Sequence, residues 1–398
     1  MQPVQNQAPP AYPAILNLGF RPFFAAAALF SVFTVLAWAG MYLAGWDLQS
    51  MALPPSTWHA HEMIFGYAQA VIAGFLLTAV GNWTGKQMLH GYPLLALLLL
   101  WLAARVLFLA GENVSVVLLA GVDCAFTIFL IIALLRPILE AGQMKQLGII
   151  SKLVLMLASN LLFYAGMLGL LDDGMRIGLY SGIYLIVALI FVLARRVFPF
   201  FIERGVGYAV ELRNRTWLDM SSLVLFLAFW VADVLRPDSL PVALLALALL
   251  ALHALRLAGW HTAGIWQKPL LWVLYLGYLW LVIAFALKAA VYFFGISPFL
   301  ALHAFSYGAI GMITLGMMSR VTLGHTGRDM TDPPSTLLPA FALLFAGSLA
   351  RVLLPLLAPA YYKAWIGLSH GLWVVAFSLF LFTYLPMLVR ARVDGRPG

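Results

Sequence analysis

Apolar runs separated by short polar breaks occupy almost the whole chain. They predict helices at roughly 19–45, 58–80, 92–110, 114–136, 150–171, 175–200, 216–235, 240–257, 268–290, 298–320, 336–357 and 364–388. Each run is close to the length, about 20 residues, that crosses a bilayer as a helix. The longest break, residues 198–216, carries Arg204, Arg213 and Arg215 and is expected to be a connecting loop. No break is long enough for a soluble domain. The expected fold is an all-α polytopic membrane protein. One bundle of about 12 transmembrane helices would span residues 19–392, with an N-terminal tail at 1–18 and a C-terminal tail at 393–398. The opening stretch, MQPVQNQAPPAYPAILN, has no charged n-region and no cleavage site, so it is expected to be a tail and not a signal peptide.

Composition sharpens this picture. Hydrophobic residues make up 64% of the 398 positions and charged ones 10%, against about 25% charged in soluble domains. The single cysteine, Cys124, excludes a disulfide framework and a thiolate-rich metal site. The net charge of +8 is best explained by topology, so lipid and not nucleic acid is the expected surface partner. With the N-terminus inside, seventeen of the 23 Lys and Arg residues fall on the inner side and six on the outer. Both termini are then expected in the cytoplasm.

Orientation divides the histidines. His59 and His61 open the second helix, His303 lies a turn into the tenth and His370 nearly two turns into the twelfth, all at outer ends. His90, His253, His261 and His325 lie toward the inner side. Four outer imidazoles at one depth suggest a site, because ionisable groups in spans usually face a bundle interior and a functional path. Imidazole suits haem iron and copper. In WHAHEM, Trp58–Met63, two residues of helix turn His59 and His61 about 200° apart, whereas an extended backbone would put them on one face. Both conformations stay open at this point. Glu62 has two candidate roles: orienting a histidine by accepting its ring N–H, or delivering protons.

A weak internal repeat links the second and tenth helices. Laying His61 over His303 matches Gly66 with Gly308, Gly74 with Gly316, Thr84 with Thr326 and Gly85 with Gly327, and pairs Lys86 with Arg328. The separation of eight helices is similar to that of the haem–copper oxidases, whose twelve core helices fall into three groups of four. The sixth helix here has no histidine, so the ligand pattern of that superfamily is not present.

Longer motifs resemble the NnrS family: GFRPFF (Gly19–Phe24), WHAHEMIFGYAQAVIAGFLLTA (Trp58–Ala79), NWTG (Asn82–Gly85), FPFFIERG (Phe198–Gly205) and GAIGMITLGMMSRVTLGHTGR (Gly308–Arg328). The resemblance implies a bacterial inner-membrane, multi-pass protein with haem, of b type, and copper, linked to nitric oxide and denitrification. It touches Arg21, His59, His61, Glu62, Asn82, Trp83, Arg204, His303, Arg320, His325 and Arg328. One assignment gives a haem to the repeat-equivalent His61 and His303 and copper to His59 and His370, and the reverse assignment is equally open. His253 and His325 are alternative axial ligands at the inner side. Arg21, Arg320 and Arg328 there either hold topology and lipid head groups or pair with haem propionates.

The leading expectation is a protein that binds nitric oxide and reduces it to nitrous oxide with electrons from an unidentified donor, Glu62 supplying protons and Tyr307 hydrogen-bonding the bound gas. A non-catalytic nitric oxide trap or sensor is the first alternative. A proton-coupled transporter is the second, set lower because transporters bind near the midplane on broken helices.

Overall fold

The computed structural model describes residues 12–47 and 53–396. The expected tails at 1–18 and 393–398 therefore lie partly outside the described residues, over 1–11 and 397–398. Among the described residues twelve helices are long and apolar enough to cross a membrane. They are α1 Phe20–Ala44, α2 Pro55–Thr84, α3 Gly91–Leu109, α4 Val116–Glu140, α5 Met144–Met167, α6 Gly174–Gly205, α7 Thr216–Leu235, α8 Leu240–Gly259, α9 Pro269–Phe294, α10 Pro298–His325, α11 Leu337–Leu357 and α12 Pro359–Val389. No strand occurs among the described residues.

The expected loop at 198–216 begins later than the sequence suggests. Helix α6 runs on through Pro199 to Gly205 because Phe198 and Ile202 remain buried against the bundle. A proline is tolerated in a packed membrane helix when its neighbours satisfy the freed carbonyl.

Packing follows a threefold rhythm. Helix α1 packs on α2, α5 on α6 and α9 on α10. Helix α3 packs on α4, α7 on α8 and α11 on α12. The groups join through α4–α5, α8–α9 and α12–α1, which closes the ring. Helices α2, α6 and α10 meet one another at the centre. They bury 78%, 72% and 72% of their apolar cores, whereas α3, α4 and α7 bury 33% each and present the rest as an apolar outer face. A bundle in lipid needs just this partition: close packing at the axis and hydrocarbon-compatible side chains at the rim.

The weak repeat is a structural one. Helix α2 widens into π-helical hydrogen bonding over Glu62–Ala68, and α10 does the same over Ala304–Gly311. Both stretches begin one residue after the aligned histidines. The matched glycines have a packing reason: a Cβ on Gly66 would lie 2.5 Å from Phe30 of α1, and one on Gly308 would lie 2.6 Å from Trp280 of α9. At the inner ends Thr84 and Thr326 bond back to the carbonyls of Val80 and Thr322, and Gly85 and Gly327 follow with φ of 66° and 77°.

Candidate functional site

The first polar centre lies where α2 meets α3, α4 and α5. His61 is fully buried, its Nδ1 3.0 Å from Glu62 Oε1 and its Nε2 3.0 Å from Asn160 Oδ1. Arg105 of α3 donates to Glu62 Oε1 at 2.8 Å and also pairs with Asp123 of α4. Asp123 accepts from Asn160 at 2.9 Å and from the Tyr164 hydroxyl at 2.8 Å. Phe65, Phe108 and Phe163 enclose the imidazole at centroid distances of 5.0, 4.7 and 4.4 Å. Both ring nitrogens of His61 are thus engaged within the protein, and two acidic and two basic side chains close on one another.

The second centre lies at the outer ends of α2, α10, α11 and α12. His59, His303 and His370 stand within electrostatic reach of one another and of Arg351. His303 donates from Nδ1 to the Phe299 carbonyl at 2.7 Å, and its Nε2 accepts from Arg351 Nη2 at 2.9 Å. That pair of partners fixes a neutral ring with its proton on Nδ1. His59 stacks on Trp38 of α1 at 5.1 Å, and Trp38 stacks in turn on Tyr42. Nδ1 of His59, Nδ1 of His370 and Nη1 of Arg351 are buried without a partner. Tyr307, four residues after His303, donates to the Ser369 carbonyl at 2.7 Å and packs edge-on against Trp373 at 4.8 Å.

The expected pairing of His61 with His303 is thus not made. Their positions are equivalent in the repeat, but His61 turns into the α3–α5 side of the bundle while His303 turns toward α11 and α12. Two residues of helix separate His61 from His59, and the resulting rotation sends them to different centres. The expected partners His59 and His370 do lie in one cluster, with His303 as third member. Among the described residues no group of three or more His, Cys, Asp or Glu side chains stands in a closed metal-ligand arrangement; Arg351 holds the Nε2 of His303 that a metal would use. Arg105, Asp123, Asn160 and Arg351 were not singled out by sequence. The available signal was an Arg or Asp inside an apolar span, which is costly unless paired or functional.

The inner residues divide further. His253 is fully buried, its Nδ1 2.7 Å from the Tyr278 hydroxyl and its Nε2 without a partner. Phe191 stacks on it at 4.1 Å and Phe285 at 5.6 Å. Arg256 beside it donates to Tyr278 at 3.2 Å and to Asp219 at 2.8 Å. Arg21 donates through Nη1 to the carbonyls of Met387, Leu388 and Arg390, which closes the end of α12. His325 lies against Phe20 at 5.7 Å, close to Arg21 and Arg392. Arg320 stacks on Phe201, 3.7 Å from its ring centre, and Arg328 leaves Nη1 buried and unpartnered. Arg21 and Arg328 therefore lie near each other, whereas Arg320 faces α6. Between these two levels an apolar cavity of about 80 Å³ opens among α1, α2, α6 and α10, bounded by residues such as Phe24, Phe75, Leu189 and Met317.

Comparison with known proteins gives one family. The family described as NnrS protein matches residues 14–392 of the chain. No curated protein matches it.

Proposed function

The chain belongs to the NnrS family and is a multi-pass membrane protein associated with nitric oxide responses, and from that premise we propose that it sits in the bacterial inner membrane, binds nitric oxide and reduces it. The proposed reaction is 2 NO + 2 H⁺ + 2 e⁻ → N₂O + H₂O, with electrons from a separate donor. The observation that carries this reading is the outer cluster: imidazoles from three helices, two of them with a buried nitrogen that no group among the described residues satisfies. Buried polar atoms are nearly always paired, so such orphans ask for a ligand.

The donor set suits copper at His59 and His370, with His303 completing it when Arg351 moves aside. For haem of b type, His253 has the pattern of an iron ligand: one ring nitrogen anchored by Tyr278, the other free. Arg21, Arg320 and Arg328 are the proposed propionate partners. Bound copper and haem would supply the redox chemistry and the affinity for nitric oxide. The chain's own part is to hold and admit. Glu62 lies three residues after His59 and is the proposed proton holder. Tyr307 forms the base of the pocket through Ser369. The apolar cavity gives a small apolar gas a dry place in the bundle.

A second reading is a nitric oxide trap without turnover. It is favoured by the contact of Glu62 with Arg105 and His61, which engages its carboxylate inside the first network and not among the outer histidines.

The test is metal and haem content of the purified protein beside His59→Ala, His370→Ala and His253→Ala, followed by anaerobic nitric oxide consumption. Copper should fall in the first two variants and haem in the third. Glu62→Gln should stop consumption and leave the nitric oxide-bound spectrum in place; consumption that survives removes Glu62 from proton delivery. Wild-type protein holding neither metal would overturn the reading and return the proton-coupled transporter to first place.

A further inference from the structure

Three buried charges hold equivalent places in the ring. In each group of four helices, the third directs a charged side chain to the second. Arg105 of α3 meets Glu62 of α2, Asp233 of α7 meets Tyr184 of α6, and Arg351 of α11 meets His303 of α10. The sequence intervals are 43, 49 and 48 residues.

Two of the three are neutralised inside the protein. Arg105 has Glu62 and Asp123. Asp233 has Lys288 of α9 at 2.7 Å, and Lys288 also reaches Asp238 at 3.1 Å. Arg351 differs. It is 5% exposed, and among the described residues it forms no salt bridge. Its contacts are a neutral imidazole and the face of Tyr362, 6.0 Å away. Its Nη1 has no partner, and the same is true of Nδ1 on His59 and His370 beside it. A guanidinium stays charged at any physiological pH, and an uncompensated buried charge is strongly unfavourable. Nothing among the described residues supplies the counter-charge, which leaves the place open to a ligand from outside the chain.

We infer that the outer pocket binds a small monovalent oxyanion, held by Arg351 Nη1 and by an imidazole N–H of His59 or His370. Guanidinium suits planar oxyanions, whose oxygens accept from its N–H groups. The inference deepens the proposed function, resting on this pocket being a ligand site, but it requires no metal. It gives Arg351 a binding role: compensating negative charge on whatever occupies the space between the histidines.

The probe is nitrate, which coordinates metals weakly, titrated calorimetrically into the purified full-length protein in a non-ionic detergent free of chloride. Copper and haem are measured on the same samples. The wild type should bind nitrate saturably at one site. Arg351→Gln should weaken it about ten- to a hundredfold, the value of a charged hydrogen bond. Arg351→Lys should retain more of the affinity, which separates lost charge from lost fold. Nitrate should also raise the wild-type melting temperature, because it binds only the folded state. No saturable binding in the wild type, or equal binding in Arg351→Gln, overturns the inference. Binding of short-chain phosphatidylglycerol in place of nitrate would make the site a lipid head-group site and overturn it too. Nitrate binding in protein without copper would sink the proposed function and leave this inference standing; copper without nitrate binding would do the reverse.

Discussion

His61 and His303 occupy the same place in two copies of one architectural unit, each just before a π-helical stretch and each near an arginine on the following helix. Their surroundings are opposite. Around His61, carboxylates and an amide meet both ring nitrogens and the two Nη atoms of Arg105, a phenol supports Asp123, and Arg105 keeps only its Nε without a partner. Around His303, the arginine has no carboxylate partner among the described residues, and the imidazoles that join it keep unpaired buried atoms. Such stretches of π-helix recur at functional sites because the extra residue in the turn re-aims side chains. Here one frame has produced a closed network and an open pocket. A closed network gives rigidity and a fixed register to α2 against α3–α5. An open pocket carries binding capacity and gives up some stability for it. The difference between them is therefore a map of which centre holds the fold and which serves a ligand.

The strongest way to break this comparison is to remove the arginine of the closed network. Arg105→Leu leaves Glu62 and Asp123 buried without their guanidinium. The expected loss is about 3–5 kcal/mol, the usual result of breaking one side of a buried ion pair. Reversible unfolding in mixed micelles, followed by circular dichroism, measures it. Replacing Asp123 by Asn in the same chain removes one of the two stranded charges and should recover part of the loss. A single variant as stable as the wild type would mean that the network does not hold these helices.

A smaller effect is expected below the open pocket. Gly347 of α11 faces the Tyr307 hydroxyl so closely that a Cβ there would lie 2.0 Å from it. Gly347→Ala must displace the ring and break its bond to Ser369. Overpacking of this kind costs about 1–3 kcal/mol. Gly347→Ala with Tyr307→Phe should be more stable than Gly347→Ala alone, because the clashing oxygen is gone. Equal stability would show that Tyr307 moves aside without strain.

The twelve helices are legible because their signal is local: an apolar run of bilayer length reads the same whatever packs against it. The repeat is legible through a handful of residues for a physical reason found only in three dimensions. Gly66 and Gly308 match because a neighbouring aromatic ring takes the space of their missing side chains. Depth along the helices brings His59, His303 and His370 to one level, but depth says nothing about direction, and direction sends His61 elsewhere. The closed network is invisible to motif reading because His61, Arg105, Asp123 and Asn160 lie far apart in sequence and acquire meaning only together. The end of α6 misleads in the other direction. Residues 198–205 read as the start of a loop, yet they continue α6, where Phe198 and Ile202 stay packed.

Arg351→Gln keeps a donor for the Nε2 of His303 and removes a charge that has no partner among the described residues. If the outer cluster is open to a ligand, this variant should lie within about 1 kcal/mol of the wild type, the range of substitutions that break no internal network. It could even gain stability when no anion is present, because a buried charge has been discharged. The same unfolding assay gives the answer, run without added oxyanion. A loss approaching that of Arg105→Leu would mean that Arg351 is locked into the fold as firmly as its counterpart. The two centres would then be alike, and the orphaned imidazole nitrogens would need a structural explanation in place of a ligand.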